Sequence, residues 1–89
     1  MIVLPASLTH ASAADLVPSL KQAVRSQPTD VVADASALTE FDSSALAALL
    51  ECRREAVAAG KTFSVQGAPP RLRQLAGLYG VAELIPATG

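Results

Sequence analysis

The residues of this chain with the capacity for chemistry gather in one stretch: Asp42-Ser43-Ser44, with Thr39 just before and the apolar run Ala45 to Leu50 just after. A carboxylate and hydroxyls placed ahead of a helical pattern accept from the unpaired first amides of the helix, and so are held, oriented and kept near solvent. Such a tip can serve as a helix cap alone, or as a cap that is also recognised. Other candidates are thin. His10 is the only histidine and has no second ligand at metal-binding spacing, so it reads as a solvent-facing loop residue and no metal is expected. Cys52, the only cysteine, forms no intramolecular disulfide and has no histidine nearby to activate it, which points to packing at a helix edge. Ser43 lacks a base in the same way, so no catalytic residue and no enzymatic activity are expected. Gly67, Gly77 and Gly80 are too far apart for a phosphate-cradling loop and no Gly-Lys-Ser/Thr element occurs, so no cofactor is expected.

The elements that must position this tip follow from patterning. With 89 residues the chain has length for one domain, 1–89, and one modest core. Apolar residues make up 51% but aromatic ones only 3%, so that core must be Ala, Leu and Val packed between layers. Ile2 to Leu4, ended by Pro5, predicts a brief first strand. Leu16, Leu20, Ala23 and Val24 recur at helical spacing. Ser12 or Asp15 is available as the cap; with Asp15 in that role Pro18 falls in the first turn, so the helix is expected to begin near Asp15 and to stop before Pro28. Asp30 to Asp34 predicts a buried parallel strand, and Ala35 to Phe41 a loop. A long helix follows from about Ser44 to Ala59, closed by Gly60. On a helical wheel Ala45, Leu46, Leu49, Leu50, Ala56 and Val57 share the inner side, opposite Glu51, Arg54 and Glu55. Arg53 falls within the apolar stripe and is expected to snorkel to the core's edge. Ala47 and Ala48 are small residues assigned to the outer face, where another backbone can approach closely. Thr62 to Val65 predicts a third strand. A third helix repeats Leu72, Leu75, Ala76 and Tyr79 and ends at Gly80, with Tyr79 as a packing residue and Arg71 and Arg73 solvated. A last short helix or strand over Val81 to Ile85 precedes a loose end. Strands alternating with helices imply a mostly parallel sheet with helices mainly on one face.

Composition also excludes classes of function. The formal charge is −1 and the basic residues are scattered, so no nucleic-acid footprint exists. The run Ala45 to Leu50 is far short of the roughly 20 apolar residues that span a bilayer, and no positive charge precedes Pro5, so neither a membrane span nor a signal peptide is expected. A single cysteine fits a cytoplasmic setting.

The segment from Ala33 to Leu46, with Asp42-Ser43-Ser44-Ala45-Leu46 at a helix head, resembles the hallmark of the STAS domains, named for sulfate transporters and anti-sigma-factor antagonists. Gly60, Val65-Gln66-Gly67 and Leu75-Ala76-Gly77-Leu78-Tyr79-Gly80 extend the resemblance, and the last two segments look most like the MlaB-like subunits of bacterial phospholipid ABC transporters. Ala45 stands where the family has glycine, and the N-terminus is expected to lack one of the strands many members place before the first helix, leaving a more exposed sheet edge. The resemblance implies an α/β STAS (SpoIIAA-like) fold. It implies a non-catalytic subunit that supports an MlaF-like ATPase, itself in complex with a membrane permease, in maintaining outer-membrane lipid asymmetry. Such a chain would be cytoplasmic and peripheral to the inner membrane through its partner, without direct insertion. The alternative it implies is an anti-sigma-factor antagonist that is phosphorylated at Ser43 and partnered by a serine kinase anti-sigma factor. The expected docking surface is Thr39, Asp42, Ser43 and Ser44 with Ala47, Glu51 and Arg54.

Overall fold

The computed structural model describes residues 1–88. In chain order it holds β1 (Ile2–Val3), β2 (Ser7–Leu8), α1 (His10–Ser26), β3 (Asp30–Asp34), β4 (Glu40–Phe41), α2 (Ser43–Ala58), β5 (Thr62–Gln66), α3 (Pro70–Leu78) and a 3₁₀ turn (Ala82–Leu84). The main sheet is parallel, in the order β1-β3-β5. Its register sets Ile2 opposite Ala33, Val31 opposite Phe63 and Ala33 opposite Val65. These five side chains are all buried. The alternate residues Val3, Val32, Ser64 and Gln66 keep partial or full exposure, so the helices cover one face of the sheet. Into that face α1 sends Leu20 and Val24, α2 sends Ala45, Leu46, Ala48, Leu49, Cys52 and Ala56, and α3 sends Leu72 and Ala76.

β3, β5, α2 and α3 lie where their patterns predict, but several expectations are corrected, among them the missing strand before the first helix. α1 starts five residues before Asp15, with extended Thr9 as its N-cap and the Thr9 N–H donating to Ser12 Oγ at 3.0 Å. His10 is therefore the first helical residue and not a loop residue, and Pro18 lies in the helix interior with its ring exposed. Part of the expected loop from Ala35 to Phe41 is a strand. β4 pairs in parallel with β2, and the Thr39 and Glu40 amides both donate to the Ala6 carbonyl, at 2.8 and 3.0 Å. Two strands thus precede α1, and because β2 pairs with β4, β1 remains an edge of the main sheet. At the other edge the tail is not loose: the Val65 amide donates to Pro86 and the Thr88 amide to Val65, at 2.8 and 3.0 Å, which lays the tail along β5. Gly89 lies outside the described residues. Finally, Arg73 is not solvated. Its guanidinium donates to the Ile85 carbonyl and, at 3.4 Å, to that of Val65, locking α3 to the tail.

The inner side of α2 is also turned from the wheel's assignment. Ala48 and Cys52 are buried, while Leu50 is half-buried and Val57 is 54% exposed. Small side chains at Ala45, Ala48, Cys52 and Ala56 let α1 and the sheet approach closely, and this draws the buried arc toward them. The α1 flank is fixed by Lys21 to Glu51 at 3.8 Å and by Arg25 to Glu55. Lys61, just before β5, closes the other end of α1 by donating to the carbonyls of Val24 and Arg25, at 3.0 and 2.9 Å, and of Gln27. Gly67 carries φ +67, and a Cβ there would stand 2.9 Å from that of Ser36, so only glycine lets the β5–α3 turn pass the exit of β3. That close approach holds the segment leading to α2 against the start of α3.

Candidate functional site

Asp42 joins the heads of two helices. In extended conformation it caps α2, one carboxylate oxygen accepting the Ser44 N–H at 2.8 Å and the other accepting the His10 N–H, the first amide of α1, at 3.1 Å. The His10 amide first, and then that of Ser44, hold its carboxyl below the usual carboxylate range. The carboxylate is a committed acceptor and a poor base.

Ser43 is the first residue of α2 and is exposed. Its hydroxyl has no hydrogen-bond partner among the described residues, so no base activates it and it stands free for an incoming group. Ser44 is half-buried beside it. Thr39 is exposed, and its hydroxyl donates to the Ala6 carbonyl at 3.2 Å. Ala47 and Arg54 follow Ser43 along the outermost line of α2, and Arg54 is 83% exposed. Glu51 sits off that line, toward α1, between Lys21 at 3.8 Å and Arg54 at 4.0 Å. Of the seven residues expected to form one surface, Ser43, Ala47 and Arg54 share a ridge; Asp42 and Ser44 build its head; Thr39 and Glu51 flank it. Ala48, assigned to the outer face, is buried. Cys52 is 1% exposed, and burial first, then the Glu51 charge, pushes its thiol up to about 11.

Beside the ridge runs a groove of about 320 Å³, lined by Ser43, Leu46, Ala47 and Leu50 of α2 and by Tyr79 and Val81 beyond α3. Tyr79, expected as a packing residue, is 61% exposed, and Leu78 is 84% exposed. The available signal was the stripe of α3 itself: Leu72 and Ala76 already fill its buried face, which leaves Leu78 and Tyr79 in excess. At the Ser43 end, the Arg71 guanidinium stacks 5.7 Å from the centre of the Phe41 ring.

The site is thus an exposed hydroxyl on a capped helix head, beside a parallel sheet covered by helices on one face. The structure matches that of an anti-sigma factor antagonist, SpoIIAA in its unphosphorylated form, with a TM-score of 0.74 at 18% identity, over 98% of this chain and 76% of that one. The family model described as "Mlab, STAS domain" matches residues 1–86, and the chain belongs to that family. A comparison with curated proteins returned no match. Among the described residues, no helix is long and apolar enough to cross a membrane.

Proposed function

We propose that this chain is a single-domain, non-catalytic STAS subunit that binds and supports the ATPase of a phospholipid ABC transporter maintaining outer-membrane lipid asymmetry. In this reading it is cytoplasmic and held at the inner membrane only through the ATPase and its permease. Membership of the MlaB-type family supports the transporter assignment. The observation that carries the docking site is the exposed Ser43 hydroxyl at the head of α2, unbonded among the described residues and opening onto the Ala47–Arg54 ridge. Asp42 and Ser44 fix that head, while Thr39 and Glu51 border the contact. Affinity capture from native cells, with identification of the captured protein, is expected to return a transporter ATPase. Ser43→Glu places a charge in the contact and is expected to weaken that capture at least about tenfold, or about 1.4 kcal/mol. Undiminished capture by Ser43→Glu counts against the site, and a captured protein other than an ATPase counts against the function.

A second reading is an anti-sigma-factor antagonist switched by phosphorylation of Ser43, with a serine kinase anti-sigma factor as partner. The structural match to SpoIIAA favours it. A phosphate would add a charge of about −1.5 to −2 beside Asp42. Intact mass from native cells separates the readings, because the switch requires a substantial phosphorylated fraction.

A further inference from the structure

The sorting of the cations says what kind of surface the groove meets. Lys21 and Arg25 pair with Glu51 and Glu55, while Lys61 and Arg73 are spent on backbone carbonyls. Three guanidiniums have no carboxylate of their own. Arg53 forms no ion pair among the described residues, Arg54 shares Glu51 with Lys21 at 4.0 Å, and Arg71 rests on Phe41. None of the three lines the groove, but each flanks a residue or segment that does. Arg53 lies one turn past Leu50 and two past Leu46 on the flank of α2 away from α1, and Arg54 lies one turn past Leu50 on the ridge. Arg71 stands at the opposite end, over the residue that precedes Asp42. Asp42, the carboxylate at that end, is taken up by two amides. Glu83 lies two residues beyond Val81, on the wall opposite the α2 residues Arg53 and Arg54.

We infer that the groove receives an acidic amphipathic helix of the partner protein, its apolar side chains set between Leu50 and Tyr79 and its carboxylates on Arg53, Arg54 and Arg71. The inference rests on the docking reading above and adds the chemistry of the partner's surface. An apolar trough flanked by arginines that have no carboxylate to themselves selects that pattern, because leucine-type anchors fill the trough and carboxylates accept the guanidinium forks. Lysine-flanked segments meet like charge there.

The test uses two synthetic amphipathic helices with the same leucine face, one flanked by glutamates and the other by lysines, titrated into the ¹⁵N-labelled chain. The glutamate peptide is expected to move the amide signals of Leu46, Ala47, Leu50 and Val81, and to bind at least about tenfold more tightly than the lysine peptide. Arg53→Glu combined with Arg54→Glu is expected to remove that preference, and Leu50→Glu to remove binding of both peptides, each variant being checked for native circular dichroism. Failure of both peptides to bind, equal binding, or shifts centred elsewhere overturns the inference. So does a groove whose signals move with protein concentration alone, since a second copy is then its occupant. Neither peptide involves the ATPase. A partner lost on Ser43→Glu with peptides that bind equally refutes only the acidic-helix inference, and the reverse result refutes only the docking site.

Discussion

Replacing Pro18 with alanine tests where α1 begins, because the two placements of its start give different outcomes. With a start near Asp15, position 18 falls in the first turn, where no N–H is needed and the fixed φ of proline helps, so the change is neutral or costs a few tenths of a kcal/mol. With the start at His10, Pro18 lies mid-helix, and the Ala14 carbonyl four residues earlier loses its donor. A proline in a helix interior costs about 3 kcal/mol relative to alanine. Ala14 and Pro18 are both exposed, so water reaches the orphaned carbonyl and recovers about 1 kcal/mol of that cost. The net expectation is a stabilisation of about 2 kcal/mol. For a domain of this size, about 4–8 °C of melting temperature accompanies each kcal/mol, so Pro18→Ala is expected to raise Tm by about 8–16 °C. Thermal unfolding followed by circular dichroism at the helix band reads this directly, and urea unfolding gives the free energy. An unchanged or lowered Tm refutes the long helix, and with it the position of His10 beneath Asp42.

Two further outcomes follow from the same packing. Cys52, buried and with its thiol pushed up to about 11, is expected to resist maleimide labelling at neutral pH until denaturant is added; stoichiometric labelling of the native chain within minutes would show that α2 is not seated as described. Asp42 is held below its ordinary range by two amides, so its contribution is full above the unfolded carboxylate range, near pH 4, and is lost as pH falls through its folded value. The stability gap between the native chain and Asp42→Asn is therefore expected to be constant above about pH 5 and to close on acidification, whereas a gap independent of pH down to 2 excludes the ionised double cap.

What could be read from the sequence was what short-range physics decides. The compact apolar run within Asp30–Asp34, the alternation from Thr62 to Val65, the Asp42 cap and Gly60 at φ +74 are local signals, and the elements they mark lie where expected. The start of α1 was not legible, because the amide of His10 is satisfied by a carboxylate 32 residues away. Strands of two residues such as β2 and β4 carry no period at all, and they exist because Ala6 gathers donors from Thr39 and Glu40. Arg73 looked like any surface arginine until the tail brought carbonyls to it. The Ser43 tip was visible as a motif, whereas the groove beside it depends on how far α2 rolls toward α1, and that is set by tertiary packing.

The double cap also decides what a charge at Ser43 can do. The Ser44 amide is already taken by the Asp42 side chain and the Ala45 amide by the Asp42 carbonyl, at 2.8 and 3.0 Å, while the second carboxylate oxygen is spent on α1. A negative group added to Ser43 therefore meets a helix head whose Ser44 and Ala45 amides are already taken, and a neighbouring carboxylate. It is directed out over the ridge and the groove, where its energy is exchanged with whatever is docked there. On either of the two readings proposed above, the same geometry leaves an unmodified hydroxyl able to sit within the contact and makes that contact sensitive to charge, without altering the fold that presents it.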